Sequence, residues 1–179
     1  MTGVQTVVDR LSRLVRNVPD FPAAGITFRD ITPLLADGEA LAEAVAGMAD
    51  PWAGAGITCV VGIEARGFIV GAPVALRLGA GFAPVRKPGK LPSAIERETY
   101  DLEYGADALE VHADALTASD RVLVVDDVLA TGGTAAAAIS LVERLGAEVA
   151  GVSVLIELAA LDGRNRLAGR EVRALLSEG

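Results

Sequence analysis

Residues 122–134 constrain the fold more than any other part of the chain. They begin with four apolar residues, continue with the adjacent acids Asp126 and Asp127, and end in a loop of small residues that leads into a helix near Thr134. A continuous apolar run is typical of a strand that is buried on both faces of a parallel sheet. In open α/β sheets, ligands bind at the carboxyl ends of the strands. The segment therefore predicts a strand, a loop and a helix, with a ligand site at the acidic end.

A similar alternation of segments extends through most of the chain and predicts a single α/β domain over residues 1–179. Apolar runs predict strands at residues 57–63, 81–85, 121–125 and 148–156, and helical spacing predicts helices at residues 4–15, 40–48, 68–78 and 134–145. Strand–helix–strand order predicts a mainly parallel central sheet that is flanked by helices on both faces. Hydrophobic residues make up 51% of the chain and aromatic residues only 4%, which favours close packing of helices on the sheet.

Charge and the rare residue types argue against several classes of function. The formal net charge of −8 argues against nucleic acid or an anionic membrane as the partner. No apolar run approaches the roughly 20 residues of a membrane helix and no secretory signal is evident, so we expect a cytoplasmic protein. The single cysteine, Cys59, lies in an apolar run that predicts a buried thiol. The single histidine, His112, is predicted to be a solvated strand residue, and no Cys or His cluster suggests zinc or iron.

The loop at residues 130–134 has the chemistry of a phosphate site. Free backbone N–H groups and the dipole at a helix start favour an anion, and Gly132 and Gly133 allow the backbone to approach it closely. The neighbouring acids would repel a phosphate unless they face sugar hydroxyls or a metal, so a ribose 5-phosphate fits. The loop lacks the Gly-Lys-Ser/Thr of a Walker loop. A phospho-accepting receiver domain is the alternative, but its acidic pair lies early in the chain and a lysine follows on a later strand, whereas no lysine follows Lys90 here.

Two further basic segments are candidates for a second phosphate site. Residues 57–68 predict a strand, a tight turn and a helix start, with Arg66 in the turn. The only two lysines of the chain, Lys87 and Lys90, both lie in residues 86–92, and compact ammonium groups suit pyrophosphate oxygens. The alternatives are a surface arginine in a turn and two solvated lysines on a loop.

Residues 124–134 resemble, without a gap, the signature of type I phosphoribosyltransferases that binds phosphoribosyl pyrophosphate (PRPP). The resemblance implies that Asp126 and Asp127 hold the ribose hydroxyls. It also implies that the 5-phosphate is bound by Ala130, Thr131, Gly132, Gly133 and Thr134. Residues 64–67 are similar to the pyrophosphate loop of this family, where backbone amides and Arg66 would hold the leaving pyrophosphate. The family often has a non-proline cis peptide in this loop, which would fall at Glu64–Ala65.

Residues 86–92 resemble the Arg-Lys-x-Gly-Lys-Leu-Pro motif of the adenine branch of this family. Residues 98–105 are similar to its flexible catalytic loop, which we expect at about residues 87–106 and which would close over PRPP. This implies that Lys87, Lys90 and Tyr104 bind PRPP and that Arg66, Lys87 and Glu103 are catalytic, with Glu103 at the imidazole edge of the purine. From the residues themselves, segments 100–104 and 108–111 suit a hairpin that turns at residues 105–107, after a polar stretch at 86–99.

The base site is expected in a small hood formed largely by the N-terminal segment, about residues 1–35. The Phe-Arg-Asp-Ile-x-Pro motif at residues 28–33 is similar to that of the adenine branch. It implies that Phe28 stacks on the purine, that main-chain groups near Thr27 read its amino edge, and that Arg29 lies close by. Leu158 would pack on the other purine face. Taken alone, Phe28 would be predicted to be a core residue.

The resemblance implies that adenine and PRPP are converted to AMP and pyrophosphate in purine salvage. Mg²⁺ is the expected cofactor, held mainly by PRPP and water rather than by a protein metal site. A homodimer is expected by resemblance alone, with no nucleic-acid or membrane partner. Two alternatives remain open, namely a phosphoribosyltransferase for another base, such as a 6-oxopurine, and a PRPP-sensing regulator that lacks catalysis. No lysine after Lys90 is available to meet a 6-oxo group, and no DNA-binding segment or basic face is evident.

Overall fold

A computed structural model describes residues 2–102 and 105–178, in which helices and strands alternate along most of the chain. In chain order the elements are α1 (Thr2–Arg13), β1 (Arg16–Pro19), β2 (Thr27–Asp30), α2 (Thr32–Ala36), α3 (Gly38–Ala49), β3 (Cys59–Ile63), α4 (Arg66–Leu78), β4 (Gly81–Val85), β5 (Ile95–Leu102), β6 (Gly105–His112), β7 (Arg121–Leu129), α5 (Gly133–Arg144), β8 (Glu148–Leu158), α6 (Gly163–Arg166) and β9 (Val172–Glu178). Short 3-10 helices lie at Asp50–Trp52 and Ala159–Leu161.

The central sheet has five parallel strands in the order β4-β3-β7-β8-β9. The prediction of a parallel sheet is therefore confirmed, and β4 has the bounds that the sequence indicated. Strand β7 continues four residues beyond the predicted end at Val125, because Val128 and Leu129 still pair with β8. Asp126 and Asp127 therefore lie within the last part of the strand rather than after it. Strand β9 was not predicted.

Both faces of the sheet are buried, and alternate residues of β7 point to opposite faces. Val122 and Val124 belong to the core that includes α5, whereas Leu123 and Val125 belong to the core that includes α3 and α4. This arrangement confirms that helices flank the sheet on both sides. It also explains why the strand is apolar without interruption, since each position meets a helix layer.

Two antiparallel hairpins lie outside the central sheet. Strands β1 and β2 pair in the N-terminal segment that was expected to form the hood, and β5 pairs with β6 from Ile95 opposite His112 to Leu102 opposite Gly105. The hairpin at β5–β6 was predicted, but its expected turn at residues 105–107 is wrong, because these residues pair within β6. Strand β5 begins at Ile95, within the segment 86–99 that is polar in sequence. Glu103 and Tyr104, with the roles predicted for them, lie outside the described residues.

The rare residue types take the following positions. Cys59 is buried and free, as predicted, and burial together with the nearby Asp120 raises the pKa of its thiol to about 11.

His112 is half-buried, and its Nε2 atom is buried without a hydrogen-bond partner among the described residues, so the prediction of a solvated histidine is wrong. Among residues 2–102 and 105–178, no helix has the length and apolar composition needed to cross a bilayer.

Candidate active site

The loop that follows β7 brings the start of α5 against α6. Gly132 precedes the helix with a φ of 80°, and a Cβ on it would lie 2.4 Å from the carbonyl oxygen of Gly163. A Cβ on Gly163 would in turn lie 2.2 Å from the carbonyl oxygen of Ala130. No sequence pattern indicated this contact with α6. It means that glycine at position 132 is required both by the backbone conformation and by the close approach of a second segment.

The first turn of α5 has N–H groups that no capping side chain satisfies. A small cavity of about 60 Å³ is lined by Ala130, Thr131, Gly132, Gly133 and Thr134 together with their immediate neighbours in the chain. Gly132 and Gly133 are buried, whereas Thr131 and Thr134 are half-buried and reach the surface of the loop. All five residues predicted to bind the 5-phosphate therefore line one depression at the start of a helix, which is a favourable place for an anion.

The two acids of β7 occupy different environments. The side chain of Asp127 is 7% exposed, and its Oδ2 atom lies 2.9 Å from Nε of Arg66. Oδ1 of Asp126 accepts a hydrogen bond of 2.9 Å from the backbone N–H of Asp127. Burial, and then the neighbouring carboxylate of Asp127, raise the pKa of Asp126 well above its usual range. Ionisation of Asp126 is therefore less favourable than that of an exposed carboxyl.

Arg66 joins the acids to the aromatic residue of the expected hood. Its guanidinium lies 4.7 Å from the centre of the Phe28 ring, in addition to its ion pair with Asp127. Within the described residues, Nη1 of Arg66 and Oδ2 of Asp127 are both buried and lack a hydrogen-bond partner. Unmet polar atoms of this kind are costly unless a ligand satisfies them. Arg66, Asp127 and Phe28, which were assigned from separate motifs, are therefore in contact. Two of their buried polar atoms remain available to hydrogen-bond a ligand.

Phe28 lies at the edge of an apolar depression in the hairpin of β1 and β2. Its ring meets the ring of Phe21 edge-on, with centroids 5.2 Å apart. A cavity of about 250 Å³ beside them is lined by Val18, Phe21, Phe28 and Asp30. Thr27, whose main chain was expected to read the base, is exposed. The hairpin thus offers an open aromatic surface of the size that a planar ring could cover.

The remaining two residues predicted for the base meet through the C-terminal strand. Arg29 forms an ion pair with Glu178 in β9. Glu178 is the register partner of Leu158 at the end of β8. Leu158 is partly buried and packs against the α3 and α4 core. Glu178 therefore holds the hood strand β2 beside the end of β8, which sequence patterns did not indicate.

Glu64 organises the segment that carries the two lysines. Its side chain, 10% exposed, accepts hydrogen bonds from Nε of Arg86 at 3.2 Å and from the backbone N–H of Lys87 at 3.0 Å, and it also pairs with Nζ of Lys90. Burial would raise the pKa of Glu64, but these hydrogen bonds outweigh it and lower the pKa to about 2. Glu64 follows β3, and the Glu64–Ala65 peptide is cis, as the resemblance implied. Lys90 therefore faces Glu64, a residue for which sequence reasoning assigned no contact.

Lys87 is held by the hairpin of β5 and β6. Its Nζ atom pairs with Asp107 and lies 3.1 Å from the hydroxyl of Tyr100. Burial would lower the pKa of Lys87, but the hydrogen bonds to Asp107 and Tyr100 raise it, so the side chain is an ammonium group at neutral pH. Tyr100 lies in the segment 98–105 that resembles the catalytic loop, but no sequence pattern indicated its contact with Lys87 or a role for Asp107.

Within the described residues, no group of three or more His, Cys, Asp or Glu side chains is placed to hold a metal ion. The carboxylates nearest to the phosphate loop in the sequence, whose oxygens could bind a metal, are those of Asp126 and Asp127 in β7. Mg²⁺ prefers oxygen ligands and usually keeps several waters while it binds substrate phosphates. Oδ2 of Asp127 is buried, pairs with Arg66 at 2.9 Å and accepts no hydrogen bond within the described residues, so it can accept one from such a water or from a sugar hydroxyl. The residues present therefore fit a magnesium ion that arrives with its substrate.

The fold is that of the phosphoribosyltransferase class, since the phosphoribosyl transferase domain profile matches residues 28–172. An adenine phosphoribosyltransferase from Streptomyces coelicolor is 56% identical over 181 residues, covering 99% of this chain and 100% of the relative. The chain belongs to the adenine phosphoribosyltransferase family. The type I phosphoribosyltransferase fold expected from the resemblance is thereby confirmed.

Solved structures of the family superpose on nearly the whole chain. The adenine phosphoribosyltransferase of Rhodothermus marinus has a TM-score of 0.94 and 52% identity, covering 97% of this chain and 99% of that one. The enzyme of Saccharomyces cerevisiae, solved with adenine and an imino-altritol bisphosphate, has a TM-score of 0.91 and 38% identity, covering 96% and 99% of the two chains.

Proposed function

We propose that the protein transfers the phosphoribosyl group of PRPP to adenine, forming AMP and pyrophosphate. The observation that carries this proposal is the position of Arg66 between the ring of Phe28 and the carboxylate of Asp127. A base on the hood, a ribose against the acids and a pyrophosphate on Arg66 would then meet at one place. The family membership supports adenine as the base, because the relatives named above are adenine phosphoribosyltransferases.

In the proposed reaction, N9 of adenine forms a bond to the anomeric carbon of the ribose. The bond from that carbon to the pyrophosphate oxygen breaks, and its electron pair leaves with pyrophosphate. Positive charge develops on the sugar as the leaving group departs, while negative charge grows on the pyrophosphate, where Arg66 and Lys87 stabilise it. The carboxylates of Asp126 and Asp127 accept hydrogen bonds from the ribose hydroxyls and hold the sugar in place. Glu103 is proposed to assist with the proton that leaves the purine.

Mg²⁺ is proposed to enter bound to PRPP, held by pyrophosphate oxygens and water. When bound, it would neutralise part of the charge on the leaving group. The binding of the 5-phosphate is assigned to Ala130, Thr131, Gly132, Gly133 and Thr134. The ammonium of Lys90 and the side chain of Tyr104 are proposed to contact PRPP as the parts of the loop at residues 87–106 that carry them close, which would exclude water from the reactive sugar. Lys87 and Tyr100 are proposed to keep their contacts during this movement.

A homodimer in the cytoplasm is part of the same proposal. The outer surface of α4 and the edge of β4 expose three large apolar side chains, Ile69, Leu76 and Phe82, of which Leu76 is 83% exposed. Exposed apolar groups on neighbouring elements are typical of a protein–protein contact. They lie on α4 and β4, the two elements that follow the segment proposed to bind pyrophosphate. Sedimentation of the purified protein would test the dimer.

Release of pyrophosphate from PRPP tests the proposed activity directly. With PRPP and Mg²⁺ present, we expect adenine to support rapid release, and hypoxanthine, guanine and xanthine to support less than about a hundredth of that rate, because a site that hydrogen-bonds one substrate edge leaves its groups unpaired with another. Faster release with a 6-oxopurine would instead identify an enzyme for that base. Binding of PRPP without turnover of any base would identify a sensing protein.

The raised pKa of Asp126 predicts that PRPP binding releases a proton. Below its raised pKa the carboxyl of Asp126 is protonated in the free protein, whereas ribose hydroxyls donate to, and so favour, the ionised form. Binding therefore lowers this pKa, and a fraction of a proton leaves at pH values between the free and bound pKa. Calorimetry with magnesium–PRPP, in two buffers of different ionisation enthalpy, measures this release. Equal heats in both buffers would contradict it, and Asp126→Asn should abolish the difference.

A further inference from the structure

The hydroxyl of Tyr100 lies between the two sites proposed for the phosphate groups of PRPP. It is 3.1 Å from Nζ of Lys87, which is assigned to pyrophosphate, and 3.3 Å from Oγ1 of Thr134, which is assigned to the 5-phosphate. It also lies 3.2 Å from Oδ2 of Asp107. Two hydrogen bonds therefore connect the candidate pyrophosphate cation to the candidate 5-phosphate loop through a single oxygen atom.

The Tyr100 hydroxyl makes a hydrogen bond to each of its three neighbours in this cluster. Lys87 and Thr134 donate to the Tyr100 oxygen, and the Tyr100 hydroxyl hydrogen is donated to Asp107. Lys87 has three N–H groups, of which one meets Tyr100 and one meets Asp107. One N–H of Lys87 is therefore left to meet an incoming phosphate oxygen while both anchoring contacts remain.

The backbone that carries Tyr100 is attached to the protein core. Tyr100 pairs with Asp107 in the register of β5 and β6, and its half-buried ring packs against the core on the α5 side of the sheet. Arg144 near the end of α5 donates a hydrogen bond of 2.6 Å to the carbonyl oxygen of Arg97 and pairs with Glu98, both in β5. The hydroxyl of Tyr100 is thus positioned relative to the same helix whose first turn forms the phosphate loop.

We propose that Tyr100 is a positioning residue that sets the distance between the ammonium of Lys87 and the 5-phosphate loop. PRPP carries its 5-phosphate and its pyrophosphate on one ribose, so both groups are bound together only when this distance matches the ligand. Preorganisation of this kind improves affinity by removing the cost of ordering Lys87 on binding. The inference depends on the proposed roles of Lys87 and Thr134, and no contact of Tyr100 with the reacting atoms is required.

Tyr100→Phe tests the proposal because it removes the hydroxyl and keeps the ring that packs against the core. We expect the affinity for magnesium–PRPP, measured by calorimetry, to fall about tenfold, the size of one hydrogen bond to a charged group. Affinity for ribose 5-phosphate, which lacks the pyrophosphate, should stay within about twofold. Ser140→Ala, which removes a hydroxyl from α5 roughly 9 Å along the helix from Thr134, is the matched control and should change neither affinity.

A double-mutant cycle with Lys87→Met separates positioning from a general loosening of the fold. If Tyr100 acts through Lys87, then Tyr100→Phe should lower PRPP affinity less than twofold in the Lys87→Met background. Equal losses for PRPP and ribose 5-phosphate, or a full tenfold loss in both backgrounds, would overturn the proposal. So would an unchanged PRPP affinity in Tyr100→Phe while the wild-type protein binds PRPP and releases pyrophosphate with adenine. Failure of the wild-type protein to bind PRPP would instead overturn the proposed function.

Discussion

Gly132→Ala is expected to destabilise the protein by about 2–4 kcal/mol and to abolish measurable PRPP binding. The backbone at Gly132 has a φ of 80°, and a Cβ there would lie 2.4 Å from the carbonyl oxygen of Gly163. The left-handed conformation costs a residue with a Cβ about 1 kcal/mol, and relief of the clash adds about 1–3 kcal/mol because two backbone segments must separate. That separation would open the loop whose N–H groups are proposed to hold the 5-phosphate. Urea unfolding and calorimetry with magnesium–PRPP measure the two effects.

Gly146→Ala provides the matched control for this substitution. Gly146 has a φ of 87°, but the nearest atom to an added Cβ is the Cβ of Ala118 at 3.7 Å, which is an ordinary contact. It follows α5 and lies away from the phosphate loop. We expect a loss of about 1 kcal/mol from the backbone conformation alone and no change in PRPP affinity. Similar losses of stability and binding in both variants would contradict a specific contact between the loop and α6.

Arg66→Gln is expected to reduce kcat/KM for PRPP by about 10²–10³-fold. Arg66 contacts both the Asp127 carboxylate and the Phe28 ring, and its Nη1 atom has no hydrogen-bond partner among the described residues. Glutamine would keep a polar side chain but remove the positive charge that is proposed to stabilise the departing pyrophosphate. The loss has the size usually seen when one charge-stabilising donor is removed from an active site. Pyrophosphate release at varied PRPP and saturating adenine measures it.

Arg77→Gln makes the same chemical change at the other end of α4. Arg77 pairs with Asp50 through contacts of 2.5 and 2.9 Å on the surface. An exposed ion pair contributes roughly 0–1 kcal/mol, so stability should change little and kcat/KM should stay within about twofold. If Arg66→Gln were no more impaired than Arg77→Gln, the assignment of Arg66 to the leaving group would be wrong.

The sequence predicted those parts of the protein whose structure depends on neighbours in the chain. The apolar runs gave β3, β4, β7 and β8 to within a few residues, because a strand buried on both faces must be apolar throughout. Residues 126–133 predicted a sugar-phosphate site. Their two acids can accept hydrogen bonds from sugar hydroxyls and their two glycines allow a phosphate to approach, and both features lie in one short segment. Resemblance then supplied the family, which the comparisons confirmed.

Elements that depend on partners distant in the sequence were predicted less well. Within the part of the chain that the structure describes, β9 pairs only with β8. Its sequence mixes polar and apolar residues because it lies at the edge of the sheet. The turn expected at residues 105–107 was misplaced because its position also depends on a partner strand. Strand register is decided by pairing and by which side chains reach the core. No pattern in a single segment could indicate either result.

By itself, the amino-acid sequence determined the α/β class, the order of the main elements and the segments that carry the chemistry, because periodicity, glycine and charge act locally. Tertiary structure alone decided which of those groups meet: Arg66 with Phe28 and Asp127, Glu64 with the lysine segment, and Tyr100 with Lys87 and Thr134. These contacts join residues that are between about 13 and 61 positions apart. Their geometry follows from the packing of the hairpins and helices on the sheet, which brings distant side chains within hydrogen-bonding distance.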